Sequence, residues 1–306
     1  MSKTAARIVK GIIVQTLKEK EEFIFGLATG NSPTGMYKNL ANMANSGEFD
    51  SSRIRSFNLD EYVGLPGENA QQRALHPESY SFFMIQEFFG LLNKKFIETS
   101  VPFGCLIDQK KLIRELEANP DDWQELGSDA GKSIDIKENA SSEYLAWIRK
   151  SILDEYKQKI EKAGGIDLHI IGVGGRGHVA FHESGIPFEN SNVLLVKLDA
   201  NTIKNAVIDG HFDKEEDSPN YAISMGAELV YKAKTIVLLA NGARKTGPVA
   251  ESLLKDPTAE IPISYGQIYS EKGGILIYIL DTIAGQVLID NKNVLDQKGI
   301  ELEILE

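Results

Sequence analysis

His178 and Glu183 lie a few residues apart in the stretch Asp167–Glu183, DLHIIGVGGRGHVAFHE. A histidine with a carboxylate at hand suits proton transfer: the imidazole titrates near working pH, and the carboxylate raises its pKa and fixes its orientation. Arg176 and His182 share the stretch. Among them stand Gly172, Gly174, Gly175 and Gly177, where the backbone can turn sharply or pass close to a ligand. Leu168, Ile170, Ile171 and Val173 form an apolar, β-branched run that reads as a buried strand of a parallel sheet. A strand that ends in a glycine turn carrying ionisable side chains is how open α/β sheets build sites.

Gly172, Gly174 and Gly177 also spell G-x-G-x-x-G, and Asp199 follows the apolar run Val193–Leu198 where a ribose-binding acid would stand. A dinucleotide, however, needs a full helix directly after the third glycine, its N-terminus aimed at the pyrophosphate. Here Gly185-Ile186-Pro187 interrupts within a few residues, and His178 and Glu183 would have no role. That reading is set aside.

Three other strand ends carry polar groups. Phe23–Ala28 leads into Thr29-Gly30-Asn31-Ser32-Pro33-Thr34-Gly35 and then a helix near Met36 with Tyr37, Leu40 and Met43 on one face. Strand, small-residue loop and helix N-terminus is an anion-binding arrangement. It lacks the Gly-Lys-Ser/Thr of a triphosphate loop, so a small phosphoester suits it better. The plainer alternative is an ordinary loop whose Ser32 caps the helix. Ile54–Leu59 runs into Asp60-Glu61-Tyr62, which are either solvated loop acids or a catalytic base at the sheet edge. His76-Pro77-Glu78-Ser79-Tyr80 marks a loop-to-helix boundary in which His76 reads as structural. Val237–Ala240 ends in Asn241-Gly242-Ala243-Arg244-Lys245. Gathered at one crevice, a phosphate cradle, a carboxylate, a histidine–carboxylate pair and a lysine make a site for proton transfer on a phosphorylated sugar.

The elements that must position these groups alternate. Strands are expected at Val193–Leu198, Thr235–Ala240 and Ile275–Leu280, and helices at Ala227–Ala233 and Pro248–Leu254. An N-terminal helix carries Ile8, Ile12 and Leu17, and an amphipathic one, Tyr144–Ile160, stops at Gly164-Gly165. Such alternation indicates right-handed crossovers. The expected fold is α/β: a single domain over residues 1–306, a Rossmann-like, doubly wound, mostly parallel sheet with helices on both faces. Residues of about 101–142, rich in charge, read as a helical insertion or lid.

Of 306 residues, 42% are apolar and 25% charged, ordinary for a soluble protein. The formal net charge of −11 argues against a nucleic-acid partner but leaves room for an anionic small molecule held by a few local cations. Cys105 is the only cysteine, so neither a disulfide framework nor a thiolate metal cluster is expected. No apolar run is long enough for a bilayer, so no membrane contact is expected. The N-terminus does not read as a secretory signal. A cytoplasmic location is expected, and association into a homo-oligomer is compatible with the sequence.

In order along the chain, FGLATGNSPTGMY, SFNLDEYVGL, HPESY, IIGVGGRGHVAFHE, YAISMG and LLANGARK resemble the glucosamine-6-phosphate deaminase (isomerase) family. The resemblance spans nearly the whole chain outside 101–142, and LDEY with GHVAFHE favours the deaminases over the related 6-phosphogluconolactonases. It implies that Asp60 shuttles a proton between C2 and C1 in aldose–ketose isomerisation. His178 would assist ring opening, and Glu183 would tune it. Thr29, Gly30, Asn31 and Ser32 would surround the phosphate, with Lys245 as a further phosphate ligand and Gly174 in the turn that lines the pocket. The reaction it implies releases ammonia and needs no metal or organic cofactor. The implied partner is a small sugar phosphate.

Two departures stand out. The family usually has an acid before Gly-His, where this chain has Arg176; it also commonly has a phosphate-binding arginine where NTIKNAVIDGHF (201–212) has none. One reading joins them: Arg176 faces the ligand and supplies the missing guanidinium. The other leaves Arg176 in solvent or paired with Asp60 or Glu61. Residues 184–196 hold no Lys or Arg, against the cationic effector pocket of some relatives, so non-cooperative kinetics are expected. Lactone hydrolysis, and a phosphosugar sensor without turnover, are the competing functions.

Overall fold

The strand-forming runs fall into two sheets rather than one. The computed structural model describes residues 1–305, and among these the strands are β1 (Phe23–Leu27), β2 (Ile54–Asn58), β3 (Asp60–Val63), β4 (Glu98–Ser100), β5 (Trp123–Leu126), β6 (Lys132–Ile136), β7 (Leu168–Ile171), β8 (Val193–Lys197), β9 (Tyr221–Met225), β10 (Thr235–Ala240) and β11 (Ile275–Leu280). The larger sheet has six strands in the order β11-β10-β7-β1-β2-β4, and every pairing in it is parallel. Every residue of β1, β7 and β10 is buried, which requires cover on both faces and explains why they are almost wholly apolar, His169 of β7 and Thr235 of β10 apart. The chain builds outward from β1 to β2 and β4, then returns to lay β7, β10 and β11 on the other side. Strand order therefore reverses between β1 and β7, and a crevice opens at the carboxyl ends of strands diverging at such a point.

The smaller sheet, β3-β9-β8-β6-β5, is antiparallel throughout. This corrects the expectation for Val193–Leu198, which pairs as β8 with β9 and β6 and takes no part in the parallel sheet. Residues 101–142 hold one longer helix, Gln109–Ala118, and the hairpin β5–β6, so the segment is not simply helical. In β6 the buried Ser133, Ile134 and Ile136 sit beside the partly exposed Lys132 and Asp135, and the strand pairs edge to edge with β8.

Helical cover follows the apolar stripes. Leu145, Ile148, Ile152, Tyr156 and Ile160 are all buried; the helix that carries them runs Glu143–Trp147, passes through a π-helical stretch Ile148–Asp154 and ends as Glu155–Lys162. The Tyr156 hydroxyl donates to the carbonyls of Asn58 (2.8 Å) and Ser100 (3.1 Å), locking the end of β2. At the opposite, amino-terminal edge, Asp167 takes Lys20 (2.7 Å), Lys234 (2.9 Å) and the Ile24 amide (2.9 Å). The ion cluster there is structural, and it lies at the other end of the sheet from the crevice.

His169, in the middle of β7, is wholly buried without a hydrogen-bond partner. Its ring fills the space beside Gly26, where a Cβ would come within 2.1 Å of it. Burial pushes its pKa down to about 3. The unfolded chain takes up that proton near the ordinary value of about 6.5, the folded chain only far lower. This contribution to stability is therefore full above pH ~6.5 and lost as pH falls toward ~3. We expect His169→Leu to flatten the acid side of the melting-temperature profile, read by thermal melts between about pH 7 and 4. Some acid loss will remain, because His182, also buried, is pushed down to about 4.

Candidate active site

Leu59 joins the two sheets: its N–H donates to Leu27 of β1 (2.9 Å), and its carbonyl accepts from Met225 of β9 (2.7 Å). Asp60 is the next residue. It is only 6% exposed, and its carboxyl lies well above the ordinary carboxylate range, first because it is buried and then because Glu61 is charged beside it. Glu61 is differently employed. It accepts from the amides of Tyr62 (2.9 Å), Tyr80 (3.0 Å) and Ser81 (2.9 Å) and from the Ser81 hydroxyl (2.9 Å), binding the first turn of helix Tyr80–Glu87. Of the adjacent acids, Glu61 is tied into the fold by hydrogen bonds and Asp60 is not.

The turn after β7 is tied to the same strand. Ser224 of β9 stands opposite Asp60 in the ladder, and its hydroxyl accepts from the Phe181 amide at 3.0 Å. Tyr62 and Phe181 also pack ring on ring, 5.4 Å between centroids. Within the turn, His178 Nδ1 is 3.0 Å from Glu183 Oε2. Burial pushes Glu183 upward, but the charge and hydrogen bond of His178, together with bonds from Thr202 and the Asp199 amide, outweigh it and hold the carboxyl below its usual range. An ionised carboxylate only accepts, so Nδ1 carries the proton and Nε2 is left without a protein partner. Gly174 is explained by the same ring: a Cβ there would come within 1.8 Å of His178 Nε2. The bare backbone at Gly174 gives room to the histidine ring. His182 lies outside this chemistry. It accepts the Ala227 amide at Nδ1 (3.0 Å) and donates from Nε2 to the Ile186 carbonyl (3.0 Å).

On the other rim, Gly30 takes φ +100°, a conformation that favours glycine, and caps helix Asn31–Asn45 without any side-chain cap. Ser32 does not cap; its hydroxyl reaches across to Asn241 Oδ1, 2.6 Å away. Since β10 and β1 flank β7, this bond joins loops on either side of the glycine turn. Helix Thr246–Leu254 starts beside Asn241, also without a side-chain cap. Lys245 at its start is half-buried, and burial first, then Arg244, pulls its pKa down. Among the described residues it forms no ion pair. One helix end with open amides, at Gly30–Ser32, and an unpaired ammonium on the loop that the Ser32–Asn241 bond ties to it make an arrangement for an anion; the second helix offers no open end, since the Thr246 amide bonds the Ala243 carbonyl. Thr29 precedes the Gly30 cap, and Asn31 is the first residue of the helix.

Arg176 departs from the ligand-facing expectation. Its guanidinium pairs with Asp129 and, at 3.2 Å, with Asp199, and its side chain is 42% exposed. Neither Asp60 nor Glu61 is a partner. The reason is local charge: the hairpin turn and the start of helix Ala200–Ile208 bring two carboxylates to it. Asp199, which the glycine pattern alone would make a ribose ligand, caps that helix through the Asn201 amide (2.6 Å), a role that its place before Ala200 signals. Nothing local in the sequence signals Asp129.

A separate cavity of about 400 Å³ lies away from these groups, between β6, the loop 186–194 and the helix that carries Tyr156. It does contain cations, Arg149 and Lys157, brought from that helix. Arg149 is engaged with the Ile136 carbonyl and Lys157 with Glu161 at 3.2 Å. Among the described residues no cluster of three or more His, Cys, Asp or Glu is placed to hold a metal ion, and no helix is long and apolar enough to cross a membrane.

With amides and an ammonium on one rim and a buried carboxyl and a histidine–carboxylate pair on the other, the crevice suits an enzyme that works on a small anionic molecule. Known proteins narrow the class. No family model matches the chain. The glucosamine-6-phosphate deaminase of Thermoanaerobacter sp. (strain X514) is 33% identical over 304 residues, covering 99% of this chain and 95% of that protein. That of Clostridium botulinum (strain Loch Maree / Type A3) is 31% identical over 288 residues, 94% of each. Among solved structures, a monomeric glucosamine-6-phosphate deaminase matches with a TM-score of 0.68 at 24% identity, over 94% of this chain and 95% of that one. The 6-phosphogluconolactonase of Thermotoga maritima matches at 0.57 and 16%, over 90% and 92%. The chain belongs to the glucosamine-6-phosphate deaminase family.

Proposed function

We propose that this enzyme converts glucosamine 6-phosphate to fructose 6-phosphate and ammonia. The observation that carries the proposal is Asp60: a carboxylate buried at the junction of the sheets, whose charge no hydrogen bond helps to hold. Such a group is a strong base for its type, and burial brings its pKa toward the operating pH, where proton transfer is most effective.

The phosphate sits between the open amides of Gly30–Ser32 and the Lys245 ammonium, with Thr29 at the rim. His178, its Nδ1–H held by Glu183, uses the free Nε2 to move the proton that opens the pyranose ring between C1 and the ring oxygen. Asp60 then takes the C2 proton of the open-chain aldehyde, giving an enolamine, and returns it to C1. The 2-imine so formed adds water; the C2–N bond breaks and ammonia leaves with the ketose. The sequence consists of proton transfers and a hydration, with no electron leaving the substrate. Lactone hydrolysis, the alternative, would give Asp60 no proton to carry. The reaction is placed in the cytoplasm, where a lone cysteine stays reduced; association of copies is read by light scattering.

The reverse direction tests the proposal. Fructose 6-phosphate with ammonium should yield glucosamine 6-phosphate, seen by NMR; hydrolysis of 6-phosphogluconolactone without that product would replace the proposal with the alternative. Lys245→Ala is expected to raise KM by roughly tenfold to a hundredfold with kcat within about threefold, because a phosphate contact far from the reacting carbons binds ground and transition states alike.

A further inference from the structure

Arg176 occupies a place in the catalytic turn, yet its partners are carboxylates of the protein. Loop 127–131, between β5 and β6, lies directly on Glu183: a Cβ at Gly131 would come within 2.6 Å of the Glu183 Cβ and 3.3 Å of the Asp199 Cβ. That loop is pinned on one side by the Ser128 amide on the Gly185 carbonyl (3.0 Å) and by the Ser128 hydroxyl on Glu260 (2.9 Å). On the other side it is held by Asp129 on Arg176. Asp199, the second partner of Arg176, donates its backbone N–H to Glu183 Oε1 at 3.3 Å. The guanidinium thus bridges the two segments that enclose Glu183, from a position just ahead of His178.

We infer that Arg176 is a positioning residue: by clamping Asp129 and Asp199 it holds the hairpin loop and the start of helix Ala200–Ile208 around Glu183, and so keeps the His178–Glu183 pair dry and aligned. A guanidinium suits this, since its planar fork engages two carboxylates at once. The charged groups facing it are Asp129, Asp199 and Glu260, and Lys132 faces Asp129. The inference rests on the proposed deaminase reaction for its kinetic readout, but not for its spectroscopic one.

The kinetic test uses Arg176→Ala, Asp129→Asn and the double variant with glucosamine 6-phosphate. Each single change should lower kcat about tenfold with KM within about twofold, because loosening a general acid–base pair by a fraction of an ångström costs rate and leaves phosphate binding intact. The double variant should be no worse than the singles, and Arg176→Lys should recover most of the loss. A tenfold or greater rise in KM for Arg176→Ala, with Asp129→Asn unaffected, would put the guanidinium on the substrate and overturn the inference. Unchanged kcat and KM with only a lower melting temperature would overturn it as well. Independently of turnover, the His178 Nδ1 proton, observed by NMR, should exchange with solvent at least about tenfold faster in Arg176→Ala and Asp129→Asn than in wild type. If it does so while wild type releases no ammonia, the clamp stands and the assigned reaction falls. If its exchange is unchanged, the clamp falls whatever the reaction.

Discussion

Asp60→Asn is expected to abolish turnover while making the protein more stable. Asparagine keeps the shape of the side chain but cannot take the C2 proton, so the isomerisation step loses its base; a general base contributes on the order of 10²–10⁴ in rate, and little activity should remain. The stability effect has the opposite sign. A carboxyl whose folded pKa is raised contributes stability that is present when it is protonated and lost as pH rises through the folded value. Above its raised pKa the charged Asp60 is therefore a burden on the fold, buried as it is and beside Glu61. Removing the charge should stabilise by about 1–2 kcal/mol, as substitutions that relieve a strained site often do. The gain should shrink as pH falls through the raised pKa and Asp60 is neutralised in the wild type. Thermal melts across that range, beside steady-state assays, read both effects. Wild-type kcat/KM should decline on the acid side at a pH above the ordinary carboxylate range.

Glu183→Gln is the second large effect. Glu183 is 2% exposed, and its carboxylate both holds the His178 Nδ1 proton at 3.0 Å and supplies the charge opposite the imidazolium that forms when Nε2 takes a proton. Glutamine fills the same space but brings no charge, and its amide can turn a donor toward Nδ1 and reverse the tautomer. Turnover should fall by roughly 10²–10³ with KM within about threefold, since the loss appears only where charge develops. The buried carboxylate is held below its usual range, so its contribution to stability is present at neutral pH and lost as pH falls through the folded value. Glu183→Gln should therefore lose less stability than wild type on acidification.

The parallel half of the fold is legible because β1, β7 and β10 are almost wholly apolar and buried on both faces, and β11, though part-exposed at the sheet edge, is an apolar run as well. The antiparallel half is not. The chain passes from β2 to β3 through Leu59 with no turn residue, so Asp60-Glu61-Tyr62 reads as a loop although it is a strand in another sheet. The hairpin β5–β6 is masked by its charges, although Ser133-Ile134-Asp135-Ile136 carries a partial alternation. In the site, residues on the turns that follow β1, β7 and β10 can be found from their place at strand ends. Pairings made across long separations cannot: Ser32 with Asn241, Ser224 with Phe181, and Arg176 with Asp129 depend on sheet order that no single segment encodes. Arg176 shows the limit best. Its type suggested a ligand, and only the neighbouring hairpin reveals what it holds.

Ammonia release from glucosamine 6-phosphate by the purified enzyme, with Asp60→Asn beside it, tests the central claim most directly. The account predicts release by wild type, with fructose 6-phosphate formed in equal amount, and its disappearance in a variant that is folded and more heat-stable. Release that survives in Asp60→Asn, or a wild type that binds the sugar phosphate and releases none, would contradict it.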